Sequence, residues 1–145
     1  MLVTRRLAGA GWVNQNDPSF GWDQRAAIFS EAKARDQAYD YAGHCARFFN
    51  QSGVEFWTMS PQPTLSSTGI CLAQPGEGYV VYVADGRNFT TDLSAAVETT
   101  LAVRWFNPRT GLFADAAAIQ GGNGKQPFTP PFAGDAVLYL KRQAQ

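Results

Sequence analysis

Apolar residues recur along the chain at two different periods, and the change of period divides it. Between Asp23 and Asn50, residues Ile28, Ala32, Tyr39, Ala42, Ala46 and Phe49 keep the three-to-four spacing of one helix face. Tyr41, Cys45 and Phe48 widen that face. This spacing predicts one long α-helix, with Asp23 as N-cap and Gly53 as the stop just beyond it. Glu31 to Gln37 are polar, so the C-terminal half of the helix should be the half that is buried.

From Gly69 onward the pattern changes to short β-type runs separated by turn formers. Ile70–Ala73, Tyr79–Val83, Phe89–Leu93, Thr100–Phe106, Leu112–Phe113, Ala118–Ile119, Phe128 and Ala136–Lys141 read as strands. Tyr79–Val83 is apolar at every position, which predicts a central strand covered on both faces. Asp85-Gly86 predicts a tight turn joining Tyr79–Val83 and Phe89–Leu93 as a hairpin. Asn107-Pro108-Arg109-Thr110-Gly111 predicts a second turn, its proline presetting φ. Turns this closely spaced indicate a mainly β chain. The expected fold is an antiparallel β-sandwich of about seven to eight strands with one long N-terminal α-helix. Val81, Val103, Trp105, Val137 and Leu138 are the expected core. Residues 1–22 show no period, and 53–68 read as a connection carrying Pro61 and Pro63.

Composition narrows the function classes. Twelve Lys and Arg balance twelve Asp and Glu among 145 residues, so a cationic face for nucleic acid is not expected. The longest apolar run, Tyr79 to Ala84, is far short of the roughly 20 residues of a bilayer span. Leu7 to Val13 is broken by glycines, so no signal peptide is read there, and the expectation is a soluble chain. Aromatics reach 13 %, which suits a core between sheets first and sugar stacking second. Cys45 and Cys71 read as buried free thiols in preference to a disulfide.

Familiar chemistry is mostly missing from the motifs. Gly124-Lys125 is followed by Gln126, so it fails as a phosphate loop, and Gly9-x-Gly11 lacks its third glycine because Asn14 stands there. No cofactor is expected. His44, the single histidine, lies beside Cys45 in the helix, and neighbouring helix positions diverge too far to aim at one metal. It reads as a packed helix histidine. Twelve carboxylates are present, but spacing selects no catalytic pair. Asn50-Gln51-Ser52 and Asn88-Phe89-Thr90 match the glycosylation pattern as chance allows, and a bacterial product would ignore them.

Four ordered blocks add a family resemblance. They are Gly76-Glu77-Gly78-Tyr79-Val80-Val81-Tyr82, Phe89-Thr90-Thr91-Asp92-Leu93-Ser94, Val103 through Gly111, and Pro127-Phe128-Thr129-Pro130-Pro131-Phe132 with Gly134 to Leu140. Together they resemble the C-terminal β-sandwich called "putative collagen-binding domain of a collagenase", which usually follows an apiosidase-like (β/α)8 glycoside hydrolase barrel. More loosely, residues 1–68 resemble the end of that barrel. Trp12–Asp17 would be a strand-end segment, Phe20-Gly21-Trp22-Asp23 a loop, and Asp23–Asn50 the closing helix.

The resemblance implies two parts, a barrel-terminal remnant at 1–68 and an accessory sandwich at 69–145. It carries over no catalytic residue, because the earlier barrel strands are absent. Trp12, Asn14, Asp17, Trp22 and Trp57 are the candidate ligand-binding residues. The implied function is a non-catalytic accessory domain of a glycoside-hydrolase-like protein, stabilising or orienting a barrel. The alternative is a module binding polysaccharide or collagen-like protein through exposed aromatics; a self-sufficient small hydrolase is the least favoured reading. Trp12, Phe20, Trp22 and the helix are expected to be covered by a second copy in a two-fold dimer through residues 1–50. The competing expectation has that segment folding back on its own sandwich.

Overall fold

The computed structural model describes residues 32–144, with side chains from Tyr39 onward. A helix, α1 (Ala32–Gln51), leads through two single-turn 3-10 segments, Phe56–Thr58 and Pro63–Leu65, into eight strands. These are β1 (Ser60–Pro61), β2 (Cys71–Gln74), β3 (Gly78–Val83), β4 (Phe89–Asp92), β5 (Thr100–Asn107), β6 (Leu112–Gln120), β7 (Lys125–Phe128) and β8 (Ala136–Arg142). Six of them form one sheet in the order β1-β2-β3-β8-β5-β6, and β4 and β7 form a second. Every pairing is antiparallel. The expected class holds: a mainly β, two-sheet antiparallel fold, with one α-helix among the described residues.

The larger sheet is covered on both faces, and period-two alternation deals its side chains to two cores. Tyr79, Val81 and Val83 of β3, with Ala136, Leu138 and Leu140 of β8, face the β4–β7 sheet. There they join Trp105, Phe89, Leu93 and Phe128. Val80, Tyr82, Val137 and Tyr139 face the other way, onto Cys45, Phe48 and Phe49 of α1. All five expected core residues are buried. Both cysteines are buried and outside any disulfide, as expected, and they lie on opposite sides of the sheet.

The helix expectation holds in its C-terminal part, while Asp23 and Ile28 lie outside the described residues. Gly53 follows the helix with φ +73°, the left-handed stop that glycine tolerates best. The buried stripe is rotated from the one predicted. Cys45, Phe48 and Phe49 are buried, whereas Ala46 and Tyr39 are exposed. The sheet selects the larger rings: Phe48 packs tilted against Phe106 at 5.2 Å and edge-on against Tyr139 at 6.5 Å, contacts an alanine could not make.

One predicted pairing is wrong. Tyr79–Val83 and Phe89–Leu93 do not form a hairpin, because β3 is flanked by β2 and β8 while β4 pairs with β7. A strand apolar on both faces needs neighbours on both edges and layers above and below. In β4 only Phe89 and Thr91 are fully buried, which suits a one-sided cover. The Asp85-Gly86 turn therefore passes the chain between sheets. A Cβ at Gly86 would lie 2.7 Å from the Gly134 carbonyl, so the turn is pressed against the loop before β8.

The Asn107–Gly111 turn is as predicted and closes the β5–β6 hairpin. Asn107 Oδ1 accepts from the Arg109 amide at 2.9 Å. Strand β6 runs unbroken where two fragments were expected. Ala117 and Ala118 face Ala102 across a bulge between the Leu101 and Val103 pairings, and exposed alanines carry no apolar alternation to read.

Candidate functional site

Of the five candidate ligand-binding residues, Trp12, Asn14, Asp17 and Trp22 lie outside the described residues. Trp57 is described and is 70 % exposed. Trp105, in contrast, is buried edge-on against Phe89 at 6.1 Å.

Local geometry explains why Trp57 points outward. After Gly53, Val54 drops into the core beneath α1, and the chain turns once around Phe56–Thr58. The Thr58 amide donates to the Glu55 carbonyl at 3.0 Å and the Met59 amide to Phe56 at 3.2 Å. Phe56 packs inward, edge-on to Phe49 at 5.3 Å, and Trp57 stands edge-on to Phe56 at 5.3 Å. Met59 closes the far side of the turn, its Cε lying 2.8 Å from where a Cβ at Gly78 would stand. Beside the indole, Thr58 Oγ1 lies 2.8 Å from both the Glu55 carbonyl and Gln74 Oε1. The turn is thus hydrogen-bonded, aromatic and polar at its margin.

The same end of the sheet carries further polar groups. Arg142 Nη1 donates to Glu77 Oε1 at 2.7 Å, and the Arg142 amide to the Glu77 carbonyl at 2.8 Å. Next to this pair is a cleft of about 200 Å³ lined by Glu98, Thr99, Thr100, Arg142, Gln143 and Ala144. Glu98 holds φ +51°, among the described residues the one non-glycine in the left-handed region. Gln74, Thr58, Glu98 and Arg142 were not singled out from the sequence. Val97-Glu98-Thr99 contains none of the Gly or Asn that usually announces positive φ.

The opposite end is built to lock loops together. Arg109 Nε donates to Asp135 Oδ1 at 2.6 Å, and the Tyr82 hydroxyl to Asp135 Oδ2 at 3.4 Å. Burial, and then the Asp135 charge, raise the Tyr82 pKa above its ordinary value. His44 Nδ1 donates to the Pro108 carbonyl at 3.0 Å, and its ring fills the space a Cβ on Gly111 would need. His44 is therefore the packed helix histidine expected.

Electrostatics favour structural roles over reactive ones. Burial pushes the Cys71 thiol up to about 12, which removes its nucleophilic thiolate at neutral pH. The hydrogen bond from Ser94 lowers Asp92, and that from Arg87 lowers Asp85, so both stay ionised acceptors. Among the described residues no three His, Cys, Asp or Glu gather as a metal site. Among them, too, no helix is long and apolar enough to cross a membrane.

Comparison with known proteins fits this architecture. None of the curated proteins matches the chain. A solved "Glycoside hydrolase" is similar at TM-score 0.57 and 15 % identity, over 70 % of this chain and 25 % of its own. A glycoside hydrolase family 5 structure from Bacteroides vulgatus is similar at TM-score 0.57 and 16 % identity, over 70 % of this chain and 24 % of its own. The chain spans about a quarter of each, and the likeness is one of fold. A family profile described as "Putative collagen-binding domain of a collagenase" matches residues 66–141, the stretch that holds β2 to β8 apart from the last residue of β8. The chain belongs to that family.

Proposed function

We propose that the chain is a non-catalytic accessory domain of a glycoside-hydrolase-like protein, with residues 69–145 as the sandwich and 1–68 derived from the end of a barrel. Its role is to stabilise or orient that barrel. The observation that carries this reading is the pairing of a family match over 66–141 with a fold found as about a quarter of two glycoside hydrolases. Helix α1 supports it, because its C-terminal turns lie outside the matched stretch yet pack on the sheet through Cys45, Phe48 and Phe49. A segment held in this way transmits orientation rather than acting as a loose tether.

Two experiments test the reading. Sequencing the DNA upstream and co-expressing any (β/α)8 barrel found there should raise the barrel's melting temperature. An unchanged melting temperature contradicts the role. Purified chain alone should not turn over aryl glycosides, because retaining or inverting hydrolysis needs opposed carboxylates about 5–9.5 Å apart. Turnover abolished by replacing one Asp or Glu overturns this.

A two-fold dimer through residues 1–50 is a second proposal, favoured by the exposure of Tyr39 and Tyr41 on α1. Light scattering giving twice the 15.8 kDa chain mass supports it, and a single-chain mass contradicts it.

A further inference from the structure

We propose that Asn123, in the loop between β6 and β7, is a site of self-modification: its side chain cyclises onto the Gly124 backbone nitrogen, and water opens the ring to aspartate and isoaspartate. The site needs no ligand and does not rest on the accessory-domain reading.

The loop is Gly121-Gly122-Asn123-Gly124. Its first half is pressed onto the segment 96–97. A Cβ on Gly121 would lie 2.5 Å from Ala96 Cβ, and one on Gly122 would lie 3.0 Å from Val97 Cα. Gly124 is open, with Ser94 Oγ 3.9 Å from where its Cβ would stand. Asn123 is exposed. Among the described residues, neither its side-chain amide nor the Gly124 N–H has a hydrogen-bond partner. Electrophile and nucleophile are thus both uncommitted, and glycine puts no side chain in the way of ring closure. Closure forms a bond from Gly124 N to Asn123 Cγ and breaks the Cγ–Nδ2 bond. The Gly124 amide proton leaves with the side-chain nitrogen as ammonia. Water then adds to either ring carbonyl: opening at Cγ gives aspartate, and opening at the main-chain carbonyl gives isoaspartate.

Asp85-Gly86 has the same arrangement of groups but is locked. Arg87 holds the Asp85 carboxylate with its guanidinium and with its amide, the latter at 3.2 Å. A carboxylate kept ionised in this way is a poor electrophile. Asn50 and Asn88 are also exposed, but Gln51 and Phe89 follow them, and a side chain there hinders attack.

The change falls on the smaller sheet. Leu93 is clamped by the two residues that flank Asn123. The Gly122 amide donates to the Leu93 carbonyl at 2.9 Å, and the Leu93 amide donates to the Gly124 carbonyl at 2.9 Å. Isoaspartate lengthens the backbone between the two clamps by one methylene, so they cannot both keep their geometry. The β4–β7 ladder begins beside them, at Asp92 and Lys125. Conversion therefore loosens the cover over the core that holds Trp105 and Phe128. It also adds a negative charge to a chain of zero net charge.

The test is to hold the full folded chain for days in mildly alkaline buffer at body temperature and map its tryptic peptides by mass. Thr110–Lys125, in which Asn123 is the one asparagine, should give two new peaks, each heavier by the exchange of NH2 for OH. Asn123→Gln should lose both peaks. The aged chain should melt below the fresh one, and Asn123→Gln should age without that drop. In urea, where Arg87 no longer holds it, Asp85 should begin to isomerise as well. A Thr110–Lys125 peptide that stays single, or conversion at Asn50 and Asn88 as fast as at Asn123, overturns the site. An unchanged melting temperature after conversion overturns the loosening, and Asp85 isomerising equally fast in the folded chain overturns the lock.

Discussion

The two faces of the six-stranded sheet differ in where their partners come from. The buried residues on the face toward β4 and β7 run from Cys71 to Leu140, inside the stretch the family profile matches, and only the partly buried Leu65 among those packed on it falls just before that stretch. The other face is closed by Cys45, Phe48, Phe49 and Val54, which precede it. Phe106, Val80 and Val137 on that second face are fully buried only because those residues cover them. A sandwich cut at the matched boundary would expose a contiguous aromatic patch, which a soluble domain avoids. Helix α1 is thus part of the folding unit, and it joins whatever precedes it to the sandwich.

The largest effect should come from removing one ring on each face. Trp105→Ala and Phe48→Ala should each cost about 3–5 kcal/mol in urea unfolding, since each deletes a buried aromatic from a packed core. A Phe48→Ala cost below about 1 kcal/mol would break the equivalence of the faces and make α1 an ornament.

Alkaline pH probes the same two faces. Cys71 faces the β4–β7 sheet, and Tyr139 faces α1. Burial pushes both up to about 12, from 9.0 for the thiol and 10.0 for the phenol. A raised folded-state value means stability is intact below the unfolded pKa and is lost as pH rises toward the folded one. Cys71 alone should therefore cost about 2 kcal/mol at pH 10.5, near 1.4 kcal/mol per pH unit past 9. Urea midpoints measured from pH 8 to 10.5 should fall, and Cys71→Ala should flatten the decline. An equally steep decline in Cys71→Ala would show that the thiol is not the group being titrated.

Gly111 sharpens how α1 is seated. Its φ of +69° alone makes Gly111→Ala cost about 1–2 kcal/mol, and a Cβ would also meet His44 Cδ2 at 2.5 Å. Gly69, at φ +70° with open space around it, isolates the backbone part. Gly111→Ala should exceed Gly69→Ala in thermal melts, and His44→Ala should erase the excess. Equal costs would mean that α1 does not press on the β5–β6 turn.

The smallest effect belongs to the exposed edge. Arg104 and Asp115 pair at 2.8 Å across β5 and β6, with the Asp115 side chain 73 % exposed. Asp115→Ala should change stability by less than about 0.5 kcal/mol. A loss above about 1 kcal/mol would mean that this edge contributes to stability as the two buried faces do.

How much of this was legible in the sequence follows from the same physics. Strands β3 and β8 could be read because two-sided burial writes uninterrupted apolar runs, and the Asn107–Gly111 turn because its backbone needs those residue types. The false hairpin came from treating Asp85-Gly86 as a local signal, whereas the pairing of β3 was decided by the distant β8. Trp57 could be named as a candidate, but its exposure depends on Phe56 and Met59 turning inward. The cleft had no sequence mark: Glu98, Thr100 and Arg142 meet only through strand order. The stripe on α1 was rotated because apolar spacing alone cannot say which flank a sheet prefers.

Native-state hydrogen exchange tests most directly whether α1 belongs to the folding unit. An integral helix predicts that the amides of Phe48 and Phe49 open only with the whole molecule, at the same free energy as Val81 and Leu138 to within about 1 kcal/mol. Opening of those helix amides several kcal/mol below the strands would show α1 to be a detachable element and would contradict the joint.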